Sequence, residues 1–107
     1  MRRSLLEYSV VQALVEGEAY PADLIGRLGR VGLQVPEGTV YPLLNRLKAD
    51  GYVEYRWEES PSGPPRKYYS LSAKGLKLAE EYRQAWEKLK KSVDSLNTSQ
   101  NKHEKNL

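Results

Sequence analysis

An apolar repeat near the C-terminal end limits the folds open to this chain more tightly than any other pattern in it. Ala79, Tyr82, Trp86, Leu89, Val93 and Leu96 recur at spacings of three and four, which is the seam of a heptad helix. Nearly every other position from Glu80 to Ser95 is polar, and Glu87 and Lys91 stand at ion-pair spacing on the exposed side. Ser72 suits the N-cap of a helix predicted over residues 73–96. About 24 residues make a rod of roughly 36 Å, longer than a small domain is wide. Its distal half cannot bury the stripe within one subunit, so the pattern predicts a homodimer. From Asn97 to Leu107 the sequence is polar and nearly free of apolar residues, and residues 97–107 are expected to form a disordered tail.

Upstream, the periodicity divides residues 1–72 into five short elements. Ser4 to Val15 carries Leu5, Leu6, Val10, Ala13 and Leu14 at helical spacing, and Gly17 stops it. Tyr20 precedes Pro21, suited to a first helical position, and Asp23 favours the first turn of a second helix that runs to about Arg30. A third helix spans about Pro36 to Asp50, with Val40, Leu43, Leu44 and Leu47 on its buried stripe and Gly51 as its stop. Its interior Pro42 removes the backbone bond to Gly38. Tyr52 to Glu58 then alternates, with Val53, Tyr55 and Trp57 on one face, and reads as a half-buried strand. Ser60 to Pro65 reads as a slightly long turn, and Arg66 to Leu71 as the returning strand, with Lys67, Tyr69 and Leu71 on one face. Three helices followed by a hairpin give a mainly helical α+β fold, a winged helix-turn-helix, carrying a long C-terminal dimerisation helix.

Composition removes most catalytic readings. The 107 residues contain no cysteine, which excludes thiolate metal sites, disulfides and a cysteine nucleophile, and fits the cytosol. The sole histidine, His103, lies in the polar tail, so no His-based triad or multi-His metal site can form. No nucleophile, base and orienter set and no glycine-rich phosphate loop is present. No cofactor or metal is expected. The longest uncharged stretches fall far short of the roughly 20 apolar residues of a membrane span, and Arg2 and Arg3 lead into no signal-peptide core. Net charge is +3, yet residues 1–74 hold ten basic against nine acidic side chains. A nucleic-acid role must therefore rest on where the charges lie.

The third helix suits a major groove, which admits one such rod presenting planar and polar side chains to base edges. Gly38 and Thr39 permit close approach at its start, where backbone N–H groups can hold a phosphate. Tyr41, Asn45, Arg46 and Lys48 extend the exposed stripe with Pro42: Asn pairs with adenine, Arg with guanine or phosphate, and Tyr with phosphate. Glu37 either complements the helix dipole or accepts from a cytosine amine. At the wing, Ser62 and Gly63 form the turn that presents Arg66 and Lys67 to a minor groove or backbone. Each has a plainer alternative: a solvated hairpin for Arg66 and Lys67, packing against the wing for Tyr41 and Pro42, and core packing for Tyr69 and Leu71. Trp57 is expected to pack the wing.

Two segments carry a resemblance to a known family. Glu37-Gly38-Thr39-Val40-Tyr41-Pro42-Leu43-Leu44-Asn45-Arg46-Leu47 followed by Gly51, and Gly63-Pro64-Pro65-Arg66-Lys67-Tyr68-Tyr69-Ser70-Leu71-Ser72-Ala73-Lys74-Gly75, resemble the PadR-type transcriptional regulators in order and spacing. The likeness covers about residues 3–96. Where much of the family reads Tyr-Gly-Tyr-Glu, this chain reads Tyr20-Pro21-Ala22-Asp23. The resemblance implies a homodimeric repressor of the short subfamily, joined through its first and last helices, with Leu5, Leu6, Ala79, Tyr82, Trp86, Leu89, Val93 and Leu96 at the interface. The implied partner is double-stranded DNA bearing a pseudo-palindromic operator. Trp86 follows Gly75 at the offset where multidrug-sensing members stack a tryptophan on a flat aromatic drug, which makes Tyr8, Tyr82 and Trp86 a candidate effector site. The alternative is that Trp86 fills the dimer core. A second class stays open: a winged-helix protein-interaction module without DNA contacts.

Overall fold

The computed structural model describes residues 4–105, with side chains as far as residue 99. The chain order is α1 (Leu5–Val15), α2 (Pro21–Arg30), α3 (Glu37–Ala49), β1 (Val53–Ser60), β2 (Gly63–Leu71) and α4 (Ala73–Lys105). The α+β winged helix-turn-helix read from the sequence is the architecture found.

Local chemistry accounts for most boundaries. The Ser4 hydroxyl accepts from the Glu7 N–H (3.1 Å) and caps α1. Its C-terminal carbonyls are satisfied from α2: Arg27 donates to the carbonyls of Ala13 (3.0 Å), Gly17 (2.8 Å) and Glu18 (3.1 Å). At α2, Pro21 takes the first position and the Asp23 carboxylate accepts from the Tyr20 N–H (3.1 Å), so the departure from the family's sequence still favours a helix start there. Helix α3 ends in a Schellman motif: Gly51, at φ +80°, donates to the Lys48 carbonyl and Tyr52 to that of Leu47. Ser72 joins the ends of α3 and α4, its hydroxyl donating to the Gly51 carbonyl (2.6 Å) and accepting from the Gly75 N–H (3.0 Å).

The two strands pair antiparallel, Val53 with Leu71 and Tyr55 with Tyr69, out to Ser60 with Gly63. This corrects two expectations. The turn is Pro61-Ser62 alone, because Gly63, Pro64 and Pro65 belong to β2. The register shifts between Glu58 and Ser60, where prolines without N–H groups cannot continue a regular ladder. The supposed half-buried face of β1 is also mostly open, since only Val53 is buried and Trp57 is 61% exposed. The sheet has two strands, and the helices cover only its base. There a reciprocal bridge between Ala19 and Tyr69 (2.9 and 2.8 Å) ties the α1–α2 connection to the wing.

The core joins Val10, Val11 and Leu14 of α1, Leu24 and Leu28 of α2, Val40, Leu43, Leu44 and Leu47 of α3, Val53 and Tyr69 of the wing, and Leu78 and Ala79 of α4. Each fully buried aliphatic side chain contributes about 1.5–3 kcal/mol. Gln12 pins α4 to α1 by donating to the Ala79 carbonyl (2.8 Å). Beyond Tyr82 the described side chains of α4 are exposed. The helix does not end at Leu96, and the stretch expected to be disordered is helical through Lys105; residues 106 and 107 lie outside the described residues, as do 1–3. Once a helix is nucleated each residue adds a hydrogen bond, and Gln, Lys and Glu are good helix formers. No helix among the described residues is long and apolar enough to cross a membrane.

Candidate nucleic-acid interface

The wing folds beside α3, and the concave surface between them is lined by Tyr41 and Asn45 of α3, Trp57 of β1, and Pro65, Arg66, Lys67 and Tyr69 of β2, with Tyr20, Pro21 and Ala22 at the start of α2. Candidate residues from two separate stretches of sequence thus share one face. Gly38 and Thr39 occupy the first turn of α3, and a methyl group on Gly38 would meet nothing within 4 Å. Tyr41, Pro42, Asn45 and Lys48 are exposed along the helix, as are Ser62 and Gly63 at the wing tip.

The cations on this face lie over aromatic rings. The Lys67 ammonium is 4.4 Å from the Tyr55 ring centre and 5.3 Å from that of Trp57, and the Lys48 ammonium is 5.5 Å from Tyr55 on the same side of the fold. Arg66 lies 5.1 Å over Tyr20, which stacks on Tyr68 at 4.0 Å. Lys48 and Arg66 are exposed and Lys67 is half-buried, each attracted by the ring face it lies over. Arg56 also lies over a ring, 4.8 Å from the Tyr68 centre, but its guanidinium is committed to carboxylates: it donates to Glu18 through Nε (3.0 Å) and Nη2 (2.6 Å) and pairs with Glu58. Those donated bonds hold the Glu18 carboxyl below the usual carboxylate range.

Arg46 is partly committed within the chain. Its Nη1 donates at 2.8 Å to Glu7 Oε1 of α1, whose side chain is 2% exposed, while the Arg46 side chain remains 59% exposed. Glu7 was not singled out from the sequence. The signal lay in its position, three and four residues before the buried Val10 and Val11. Trp57, expected to pack the wing, meets Tyr55 edge-on there with ring centres 6.0 Å apart and also lines this face.

A sequence model of the Transcriptional regulator PadR-like family matches residues 10–81. The chain belongs to that family. It is 43% identical to a PadR-like transcription factor from Bacteroides fragilis, whose structure superposes with a TM-score of 0.78 over 86% of this chain and 89% of that one. It is 30% identical to a transcriptional regulator of Mycobacterium tuberculosis over 86% of this chain and 85% of the relative. PadR of Bacillus subtilis, solved in complex with operator DNA, shares the fold at 19% identity and a TM-score of 0.70, over 77% of this chain and 48% of that one. The family's members are transcriptional regulators, and this PadR-like chain is one by membership.

On a second face, Leu5, Tyr8, Val31, Leu33, Tyr82, Trp86 and Leu89 line an open apolar groove of about 580 Å³. Tyr8 lies 5.0 Å from Tyr82 and 6.4 Å from Trp86, ring centre to ring centre. Burial, followed by the charge of Glu87, raises the Tyr8 phenol above its ordinary value. The expected interface residues divide here. Ala79 is buried and Leu6 packs on the core of its own chain, whereas Leu5, Trp86, Leu89, Val93 and Leu96 are 44–79% exposed.

Proposed function

We propose that this PadR-like regulator is a homodimeric repressor that binds a pseudo-palindromic double-stranded DNA operator, with α3 in the major groove and the wing on the adjacent backbone or minor groove. The observation that carries it is the concave face on which Tyr41, Asn45, Arg66 and Lys67 meet, two of them cations held over rings rather than against carboxylates. Thr39, Arg46, Lys48, Ser62 and Gly63 extend the contact, and Gly38 permits close approach at the start of α3. The exposed stripe from Leu5 to Leu96 supports dimerisation through α1 and α4, since an uncovered apolar surface of this kind marks an interface. A flat aromatic effector at Tyr8, Tyr82 and Trp86 is the finer part of the reading, supported by the ring spacing in the groove.

Selection of the purified full chain against a random duplex pool at near-physiological salt tests this. The expected result is a pseudo-palindrome with half-sites about 34 Å apart. No enrichment by a folded dimer overturns it.

A further inference from the structure

Glu7 lies beneath the recognition helix and takes no part in the contacts proposed above. Burying a carboxylate carries a large desolvation cost, and an apolar side chain of similar volume commonly serves stability as well or better. Glu7 sits against an apolar stripe with Val10, Val11 and Leu14, where such a side chain would fit the pattern. A leucine there could not accept from Arg46 Nη1, as the carboxylate does at 2.8 Å across 39 positions of sequence. Arginine presents five donors in a rigid fork, so holding one nitrogen from below restricts the directions in which the others face outward. The Arg46 side chain is 59% exposed and shares a stripe of α3 with the exposed Pro42, four residues before it. A guanidinium already held loses less side-chain freedom when it meets a base or phosphate.

We propose that Glu7 is a positioning residue for DNA recognition: it orients Arg46 on the recognition helix and thereby sets operator discrimination rather than overall affinity for DNA. This rests on the DNA-binding reading. It runs against simple electrostatics, by which removing a negative charge beneath a DNA-facing surface strengthens binding to every duplex alike.

The test compares dissociation constants for the selected operator and for a random-sequence duplex, in the same buffer, for wild type, Glu7→Gln, Arg46→Ala and the double variant, with a urea midpoint for each. Glu7→Gln is expected to lower the operator-to-random affinity ratio roughly tenfold, the scale of one oriented base contact, with affinity for the random duplex equal or higher. In the Arg46→Ala background the same change is expected to leave the ratio where Arg46→Ala put it. Should either variant fail to fold, Glu7→Leu, which replaces the buried charge by an apolar filler, is expected to show the same loss of ratio. An unchanged ratio with only a shifted urea midpoint makes Glu7 purely structural and overturns the proposal, as does an equal further loss in the Arg46→Ala background. Wild-type protein that fails to discriminate operator from random duplex overturns the DNA-binding reading, and this proposal with it.

Discussion

Gly38→Ala separates what the fold needs from what a docked duplex needs. Gly38 sits in the first turn of α3, outside the positive-φ glycines, and a methyl group there meets nothing within 4 Å, the Pro42 ring included. For the isolated chain the exchange is favourable, because alanine loses less backbone entropy on folding than glycine, by about 0.5–1 kcal/mol in a helix interior; the low end suits a first turn. At a DNA interface the balance reverses. The α3 start is to approach phosphates through its N–H groups, and a methyl group forced into a close-packed contact costs about 1–3 kcal/mol. At 1.4 kcal/mol per decade this is roughly a fivefold to hundredfold rise in Kd. Urea unfolding and fluorescence anisotropy on the selected operator measure the two effects separately. The expected outcome is a protein as stable as wild type or more so that binds its operator more weakly. Raised stability with unchanged affinity would refute the argument that Gly38 serves close approach.

Other substitutions test separate parts of the account. Gly75→Ala is expected to destabilise the fold by about 1–3 kcal/mol, because its Cβ would lie 2.0 Å from the Tyr52 carbonyl oxygen; urea denaturation showing a gain would contradict that packing. Leu89→Asp, at a side chain 54% exposed in the single chain, is expected to shift sedimentation to the monomer and to lower the urea midpoint, because dimerisation stabilises the folded chain by mass action; a sedimenting dimer would contradict the seam. The Glu18 carboxyl, held low by bonds from Arg56, is expected to titrate by NMR below the usual carboxylate range and to return to it in Arg56→Gln. Because its folded pKa is depressed, its stabilising contribution is present above the unfolded value and is lost as pH falls through the folded one.

Where one residue type settles a boundary, the sequence and the structure coincide. Pro21 opens α2, Gly51 closes α3, and Val40, Leu43, Leu44 and Leu47 are buried at the spacing that predicts them. What escaped depends on partners distant in the chain. Alternation in β1 and β2 showed a hairpin with two faces but not that the helices leave Tyr55 and Trp57 uncovered. Pairing of Ser60 with Gly63 is settled by the whole ladder, so the prolines read as turn. Glu7 and Arg27 look like surface charges until α3 supplies Arg46 and the end of α1 supplies its carbonyls. Polar composition after Leu96 suggested disorder, although Gln100, Lys102 and Glu104 suit the helix that continues there. At the candidate site, the α3 stripe and the wing cations were legible as separate stretches. Their convergence on one face, with Trp57 between them, required the fold.

Spacing tests the central claim most directly, because a dimer that places two α3 helices in successive major grooves fixes the distance between half-sites. Binding of the full chain would be measured on the selected duplex and on the same duplex with about 5 base pairs, half a helical turn, inserted at its centre. The insertion is expected to reduce affinity to that for random DNA. Equal affinity for the two duplexes would contradict it.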